Sequence, residues 1–221
     1  MVNRTLKLGD IAEMKMGYNS INRRDIKPQS REELSKKGID SYDINRRWLP
    51  FINIKDVREG KPLIAENLKL IAESYLDGRT MRLEPDDILL LSHGDRFLAA
   101  LIPDSLPRSI CSVFFQIIRI NPAQHLLPAY VCWQLNRSST MHHLKRRSVG
   151  TMIKYIPRKE IMDLQIPIPN IDIQRQVADI EEMRLRENAL TQELLEKRNL
   201  MIKTKLDNLI NNTRSENDRT N

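Results

Sequence analysis

Glycine, cysteine and aromatic residues are all scarce in this chain. It has 7 Gly in 221 residues, and none of them forms the Gly-rich loop after a strand that binds the phosphates of a nucleotide. The 2 cysteines, Cys111 and Cys132, lie in apolar segments, which predicts buried thiols. Aromatic residues make up only 5%, so the chain lacks the stacking motifs by which proteins bind unpaired RNA bases.

Long apolar segments are absent as well. No run approaches the ~20 residues that a membrane-spanning helix needs. The charged N-terminus is not followed by the apolar region of a signal peptide. We therefore expect a cytoplasmic protein that does not bind membranes.

The side-chain clusters that support catalysis are also missing. A Mg²⁺-dependent nuclease uses clustered carboxylates, but Asp86, Asp87 and Asp104 have no Glu-x-Lys partner at a suitable spacing, and we interpret Asp86 and Asp87 as turn or capping residues. His142 and His143 are adjacent, so their side chains diverge by ~100° on a helix, which does not suit a zinc site. We expect no catalytic residue, no metal site and no cofactor, and hence a chain that is not an enzyme.

Positive charge is present in excess, and it is unevenly distributed. Residues 170–221 contain 9 Lys+Arg and 10 Asp+Glu, a net charge of −1, so the 36 basic and 29 acidic residues of the whole chain leave 27 and 19, a net of +8, in residues 1–169. A globular part with excess positive charge is typical of a domain that binds a polyanion. A C-terminal part with nearly equal positive and negative charge is typical of a segment that binds protein.

The basic residues concentrate between Arg137 and Lys159, where no acidic residue intervenes. Lys and Arg neutralise phosphates, and Gly150 permits close approach of the backbone to a groove. The alternative is a solvated basic surface without a ligand. The predicted DNA-binding residues of this stretch are Lys145, Arg146, Arg147, Ser148, Lys154 and Tyr155. Two further groups complete the prediction: Arg23, Arg24, Arg46 and Arg47 in a charged segment, and His93 with Arg96 in the turn after an apolar strand.

A long helix is predicted from Ile171 to Ile210, because this stretch contains neither Pro nor Gly and is rich in helix-forming residues. Asp172 is the expected N-cap. At ~1.5 Å per residue its 40 residues form a rod of roughly 60 Å, too long to bury its apolar stripe against its own domain. We predict a partner helix on that stripe; the alternative is a surface helix packed on its own domain. The predicted interface residues are Val177, Ile180, Leu194, Leu195, Met201, Ile202 and Leu209.

The remainder of the sequence predicts an α+β domain over residues 1–169, followed by the helix over 170–210 and a disordered tail over 211–221. The uninterrupted run Ile88 to Leu91 is typical of a core strand. We expect a strand at Arg79–Leu83, a helix at Pro128–Leu135, and a short strand or turn followed by a helix between Leu6 and Met16.

The order of several motifs resembles that of a known family. The first is Leu8-Gly9-Asp10-Ile11 with Gly17. The second is Phe51-Ile52-Asn53-Ile54-Lys55-Asp56-Val57 with Gly60, and the third is Asp86-Asp87-Ile88-Leu89-Leu90 with Gly94. The last comprises Gly150, Ile156-Pro157, Ile161, Leu164 and Ile166-Pro167-Ile168-Pro169, followed by Gln174 at the start of the predicted helix. Together they resemble the specificity (S) subunit of type I restriction-modification systems. The chain departs from the family pattern at Ile173, where a Glu is usual.

The resemblance implies an architecture and a set of partners. Such subunits have two target recognition domains, each followed by a long helix, and the paired helices space the two halves of an interrupted DNA site. Methyltransferase (M) subunits bind around the helices, and restriction (R) subunits can join them. With one domain and one helix, this chain would be a half-length subunit or a fragment of a longer one. A homodimer through the helix would read a palindromic interrupted site in double-stranded DNA.

Other functions stay open at this stage. One is a stand-alone dimeric DNA-binding regulator that uses the helix for dimerisation. Another is the recognition subunit of a type II restriction enzyme. A third, an RNA- or membrane-associated basic protein, is disfavoured by the missing stacking motifs and amphipathic anchors. The sequence predicts neither the DNA site nor which cations contact bases.

Overall fold

The computed structural model describes residues 4–19, 27–59, 63–78 and 80–217, with side chains up to residue 208. Nine strands lie within these ranges: β1 (Arg4–Lys7), β2 (Ala12–Met16), β3 (Trp48–Ile52), β4 (Lys69–Ala72), β5 (Ile88–Leu91), β6 (Leu98–Leu101), β7 (Ile110–Cys111), β8 (Phe115–Ile120) and β9 (Gln165–Ile168). The same ranges contain seven α-helices: α1 (Leu8–Ile11), α2 (Arg31–Lys36), α3 (Ser41–Arg47), α4 (Pro128–Asn136), α5 (Ser138–Arg147), α6 (Arg158–Met162) and α7 (Ile171–Asn217). The predicted α+β class is confirmed.

The central sheet is antiparallel, has the strand order β2-β8-β5-β6 and is covered on both faces. Because side chains alternate between the faces of a strand, Ile88 and Leu90 of β5 join one core cluster, whereas Leu89 and Leu91 join another. Every residue of β5 is at most 1% exposed. Burial on both faces explains why this strand is an uninterrupted apolar run.

The first and last strands of the globular part pair with each other. Strand β1 is antiparallel to β9, with Arg4 opposite Ile168. Just beyond the pair, Leu8 donates its backbone N–H to the carbonyl of Leu164 at 2.9 Å, and the Lys7 ammonium lies 2.9 Å from the Asp163 carboxylate. The chain therefore returns to its start immediately before α7 begins.

A third sheet, of order β4-β3-β7, carries the pair of helices α2 and α3. Ser30 and Glu33 form a capping box at the start of α2, and Asp40 accepts a hydrogen bond from the Asp43 amide at the start of α3. Each cap satisfies an amide that a helix start leaves unpaired. These caps fix the ends of two helices that are too short to be stable alone.

The structure differs from the prediction in several short elements. Between Leu6 and Met16, the helix is only one turn, α1, and strand β2 follows it. The strand expected at Arg79–Leu83 is wrong for its described residues: Leu83 forms a single bridge to Ser109, while Arg82 pairs with Glu73 at 2.6 Å. Helix α4 at Pro128 is confirmed.

Helix α7 begins at Ile171, as predicted, but its N-cap is not the predicted residue. The Asn170 side chain accepts a hydrogen bond from the Ile173 amide at 2.9 Å, so Asn170 is the N-cap and the prediction of Asp172 is wrong. An amide oxygen serves this position as well as a carboxylate does. The helix continues to Asn217, so residues 211–217, which the sequence analysis assigned to the tail, are helical.

The first turns of α7 anchor it to the domain. Gln174 is 1% exposed; its Oε1 accepts from the Leu127 amide at 2.9 Å and its Nε2 donates to the Pro169 carbonyl at 3.0 Å. Val177 packs against the core cluster around α4. At 47 residues and ~1.5 Å per residue the helix is roughly 70 Å long, and no described residue beyond Gln174 is buried.

Candidate nucleic-acid interface

The turn after β5 and the loop formed by residues 149–155, hereafter the basic loop, are held together by their backbones. Gly94 donates its N–H to the Lys154 carbonyl at 2.7 Å, and Ile156 donates to the Ser92 carbonyl at 2.9 Å. Two segments that are far apart in sequence, at 93–94 and 154–155, thereby form one surface. This surface contains His93, Lys154 and Tyr155 of the predicted DNA-binding set.

The basic loop has a fixed backbone. Val149 and Tyr155 exchange two hydrogen bonds, of 2.9 and 2.8 Å, which close the loop at its base. Gly150 adopts a φ of +104°, and a Cβ placed there would lie 2.3 Å from the carbonyl oxygen of Ile153. Only glycine fits this position, because both the left-handed conformation and the close approach exclude a side chain.

Two aromatic rings join the loop to the sheet. The imidazole of His93 stacks on the ring of Tyr155, with centroids 5.7 Å apart and planes 20° apart, and it meets the ring of Phe114 edge-on. His93 Nδ1 lies 3.0 Å from Ser92 Oγ, whose hydroxyl donates to the Phe114 carbonyl at 3.2 Å. A proton on Nδ1 satisfies this arrangement, since Ser92 Oγ then accepts from the imidazole.

The C-terminal end of α5 supplies the positive charge. Lys145, Arg146 and Arg147 are exposed in its last turn, where cations also interact favourably with the helix dipole. Arg147 Nη1 lies 3.2 Å from the Glu160 carboxylate of α6, so it is partly neutralised within the chain. Ser148 donates its hydroxyl to the Lys145 carbonyl at 2.7 Å and thereby ends the helix. Lys145 and Arg146 are thus the cations best placed for an external anion.

The other predicted DNA-binding residues lie on other elements. Arg96 donates to the carbonyl of Val57 at 3.2 Å and remains exposed. Arg46 and Arg47 extend from α3, which packs on α2 and β3. Arg46 Nη1 is 3.3 Å from the hydroxyl of Tyr42, a residue that is 69% exposed. Arg23 and Arg24 lie outside the described residues.

Sequence reasoning missed the apolar part of this surface. Met152 is 97% exposed and Ile153 is 63% exposed, at the tip of the basic loop. In the sequence they stand beside Lys154 and two residues after Gly150, and that juxtaposition was the available signal. An apolar pair in a sequence predicts core by default, so only the fold places it on the surface.

The predicted partner surface of α7 is exposed along most of its length. Ile180, Leu194, Leu195, Met201 and Ile202 are between 44% and 67% exposed. Val177 instead packs against its own domain, and the side chain of Leu209 lies outside the described residues. Arg184 donates to both oxygens of Glu181 and reaches Glu59 at 3.4 Å, contacts that raise the pKa of the guanidinium.

Within the described ranges, no group of three or more His, Cys, Asp or Glu side chains is arranged to hold a metal ion. Cys111 and Cys132 are buried free thiols, as predicted, and burial raises the pKa of the Cys132 thiol to about 12. None of the helices in those ranges combines the length and apolar character that crossing a bilayer requires.

Comparison with known proteins identifies the fold. No family model matches the sequence, and no curated protein matches it. The structure is similar to that of the HsdS subunit from Thermoanaerobacter tengcongensis, with a TM-score of 0.55 and 18% identity over 92% of this chain and 46% of that one. The fold of this chain is that of an HsdS specificity subunit.

Two further structures with the HsdS fold agree. The S subunit of a type I restriction-modification system from M. genitalium has a TM-score of 0.50 and 13% identity, over 80% of this chain and 37% of that one. A structure describing the complex assembly and conformational transition of a type I system has a TM-score of 0.54 and 18% identity, over 92% and 46%. The chain therefore spans less than half the length of each of these three solved proteins.

Proposed function

We propose that this chain is a DNA-recognition subunit of a type I restriction-modification assembly. The observation that carries the proposal is the HsdS fold, which extends over 92% of the chain. The exposed cations of α5 and the basic loop support it independently, because Lys and Arg side chains neutralise the phosphates of the DNA backbone. In this proposal residues 1–169 bind DNA and residues 170–210 bind protein.

The chain itself carries no reaction in this proposal. Methylation belongs to methyltransferase subunits that dock on α7, and cleavage belongs to a restriction subunit where one is present. The exposed apolar residues of α7 support docking, since a row of exposed leucines, isoleucines and methionines is costly in water unless a partner covers it. No cofactor is required by the chain.

The partner for α7 is proposed to be a second copy of the same chain. Two copies would supply the two recognition domains and two helices that a full-length specificity subunit contains. A symmetric dimer binds DNA symmetrically, so the DNA site would consist of two inverted half-sites. The length of the paired helices would set the spacer between the half-sites.

Light scattering of the purified chain, alone and with a methyltransferase subunit from the same source, tests the proposal. A dimer of twice 25.9 kDa that takes up methyltransferase supports it. A dimer that selects duplex DNA but ignores methyltransferase supports the stand-alone regulator instead. Methylation of the selected site by the reconstituted complex separates a type I assembly from a type II recognition subunit.

A further inference from the structure

The tip of the basic loop presents two apolar side chains to solvent. Met152 is 97% exposed and Ile153 is 63% exposed. Single exposed apolar residues are common. Two neighbouring ones at the tip of a loop with a fixed backbone indicate a binding partner that covers them.

The loop has little freedom to bury these side chains against its own domain. Its base is closed by the paired hydrogen bonds between Val149 and Tyr155, and a third hydrogen bond joins Lys154 to Gly94. Stacking of Tyr155 on His93 fixes the same end. Because Gly150 approaches the carbonyl of Ile153 closely, the turn is also constrained between base and tip.

The surroundings of the tip select the kind of partner. Lys154 belongs to the loop, and Lys145 and Arg146 are exposed at the end of the helix that leads into it. No acidic residue occurs between Arg137 and Lys159. Exposed cations around an apolar tip suit a ligand in which negative charges flank a recessed apolar surface. Duplex DNA has that form, with phosphates along the backbone and bases in the grooves.

We propose that the tip of the basic loop is a base-contacting element, in which Met152 and Ile153 pack against the bases. Lys145, Arg146 and Lys154 hold the flanking phosphates. Apolar side chains contact thymine methyl groups in the major groove and insert at base steps in the minor groove. Both contacts depend on the base sequence, so the tip contributes to discrimination between sites, whereas the cations contribute to affinity for any duplex. This inference rests on the proposed function.

The test uses the full chain in the assembly that light scattering identifies. A random-sequence duplex library yields the preferred site, and binding is then measured for that duplex and for a scrambled duplex at several salt concentrations. The variant Met152→Ser/Ile153→Ser should lower the ratio of the two affinities at least about tenfold, as the loss of base contacts does. Its affinity for the scrambled duplex and its salt dependence should stay unchanged.

Met16→Ser is the matched control, because Met16 is also exposed, at 52%, but lies in β2. It should leave the ratio unchanged. If the loop variant retains the wild-type ratio, or loses methyltransferase binding instead, the inference is overturned while the proposed function stands. If the wild-type assembly enriches no duplex at all, the proposed function fails and the inference fails with it.

Discussion

The carboxylate of Asp87 is held by two nitrogens of Arg119: Oδ1 lies 2.7 Å from Nε, and Oδ2 lies 2.7 Å from Nη2. Asp87 is 1% exposed and immediately precedes β5, whereas Arg119 lies on the neighbouring strand β8. Hydrogen bonding to Asp87 raises the pKa of the Arg119 guanidinium. The pair therefore joins the two central strands at the point where the chain enters the core.

Arg119→Ala should lower the free energy of unfolding by about 3 kcal/mol, because it leaves the Asp87 charge buried without its partner. The value is placed at the low end of the range for such pairs because the Arg119 side chain is 30% exposed. Urea denaturation checks it. Arg47→Ala, which removes an exposed pair with Asp43, should cost no more than about 1 kcal/mol. The double variant Asp87→Ala/Arg119→Ala should recover part of the lost free energy of unfolding. An equal loss of stability in Arg119→Ala and Arg47→Ala would contradict the role assigned to the buried pair.

Gly150→Ala should destabilise the protein more than Gly94→Ala. Both glycines have positive φ, of +104° and +96°, and an alanine in the left-handed region costs roughly 1–2 kcal/mol. Only at Gly150 would the new Cβ also collide with a carbonyl oxygen, that of Ile153, whereas nothing lies within 4 Å of a Cβ at Gly94. Hydrogen exchange of the Val149 and Tyr155 amides measures the effect locally. Equal exchange in the two variants would show that the close approach does not constrain the loop.

Leu195→Asp/Ile202→Asp should convert the proposed dimer into a monomer. These residues are 51% and 44% exposed along one side of α7, and two carboxylates would have to be desolvated between the helices. Analytical ultracentrifugation measures the change. Lys203→Asp alters the net charge equally from a neighbouring, non-apolar position and should remain dimeric. A dimer that survives the double substitution would place the interface elsewhere.

Lys145→Ala/Arg146→Ala should reduce the salt dependence of binding to duplex DNA. Each lost phosphate contact reduces the magnitude of the slope of log affinity against log salt by about 0.9. The slope of the double variant should therefore be smaller in magnitude by about 1.8. Lys203→Ala/Lys205→Ala removes the same charge from the exposed part of α7 and should leave the slope unchanged. DNA titrations at several salt concentrations distinguish the two double variants. An unaltered slope in both variants would show that α5 does not contact the DNA backbone.

Sequence reasoning succeeded where the physical signal is local. The run Ile88 to Leu91 is apolar at every position because both faces of its strand are buried, and that pattern is readable without the fold. The absence of Pro and Gly from Ile171 onward likewise sufficed to predict α7. The N-cap was misassigned because Asn170 and Asp172 are both good capping residues, and the choice depends on where the backbone first becomes helical.

The candidate interface was less accessible because its geometry is non-local. His93 and Tyr155 stack between the turn after β5 and the basic loop, two segments whose pairing no local pattern specifies. The cations at 145–147 are visible in the sequence, but the partial neutralisation of Arg147 by Glu160 is not. Met152 and Ile153 were the hardest to predict, because their exposure is set by a loop whose conformation depends on Gly150 and on Gly94 in the turn after β5.

The pairing of β1 with β9 has a consequence for the synthesis of the chain. Lys7 can form its ion pair with Asp163 only after the intervening residues have been synthesised, a separation of 156 positions. At ~5–20 residues per second, a ribosome takes roughly eight to thirty seconds to synthesise that stretch. During this interval the first strand leaves the ribosome without its neighbour. Because β9 precedes α7 in the chain, both partners of the β1–β9 pair are synthesised before α7 is complete.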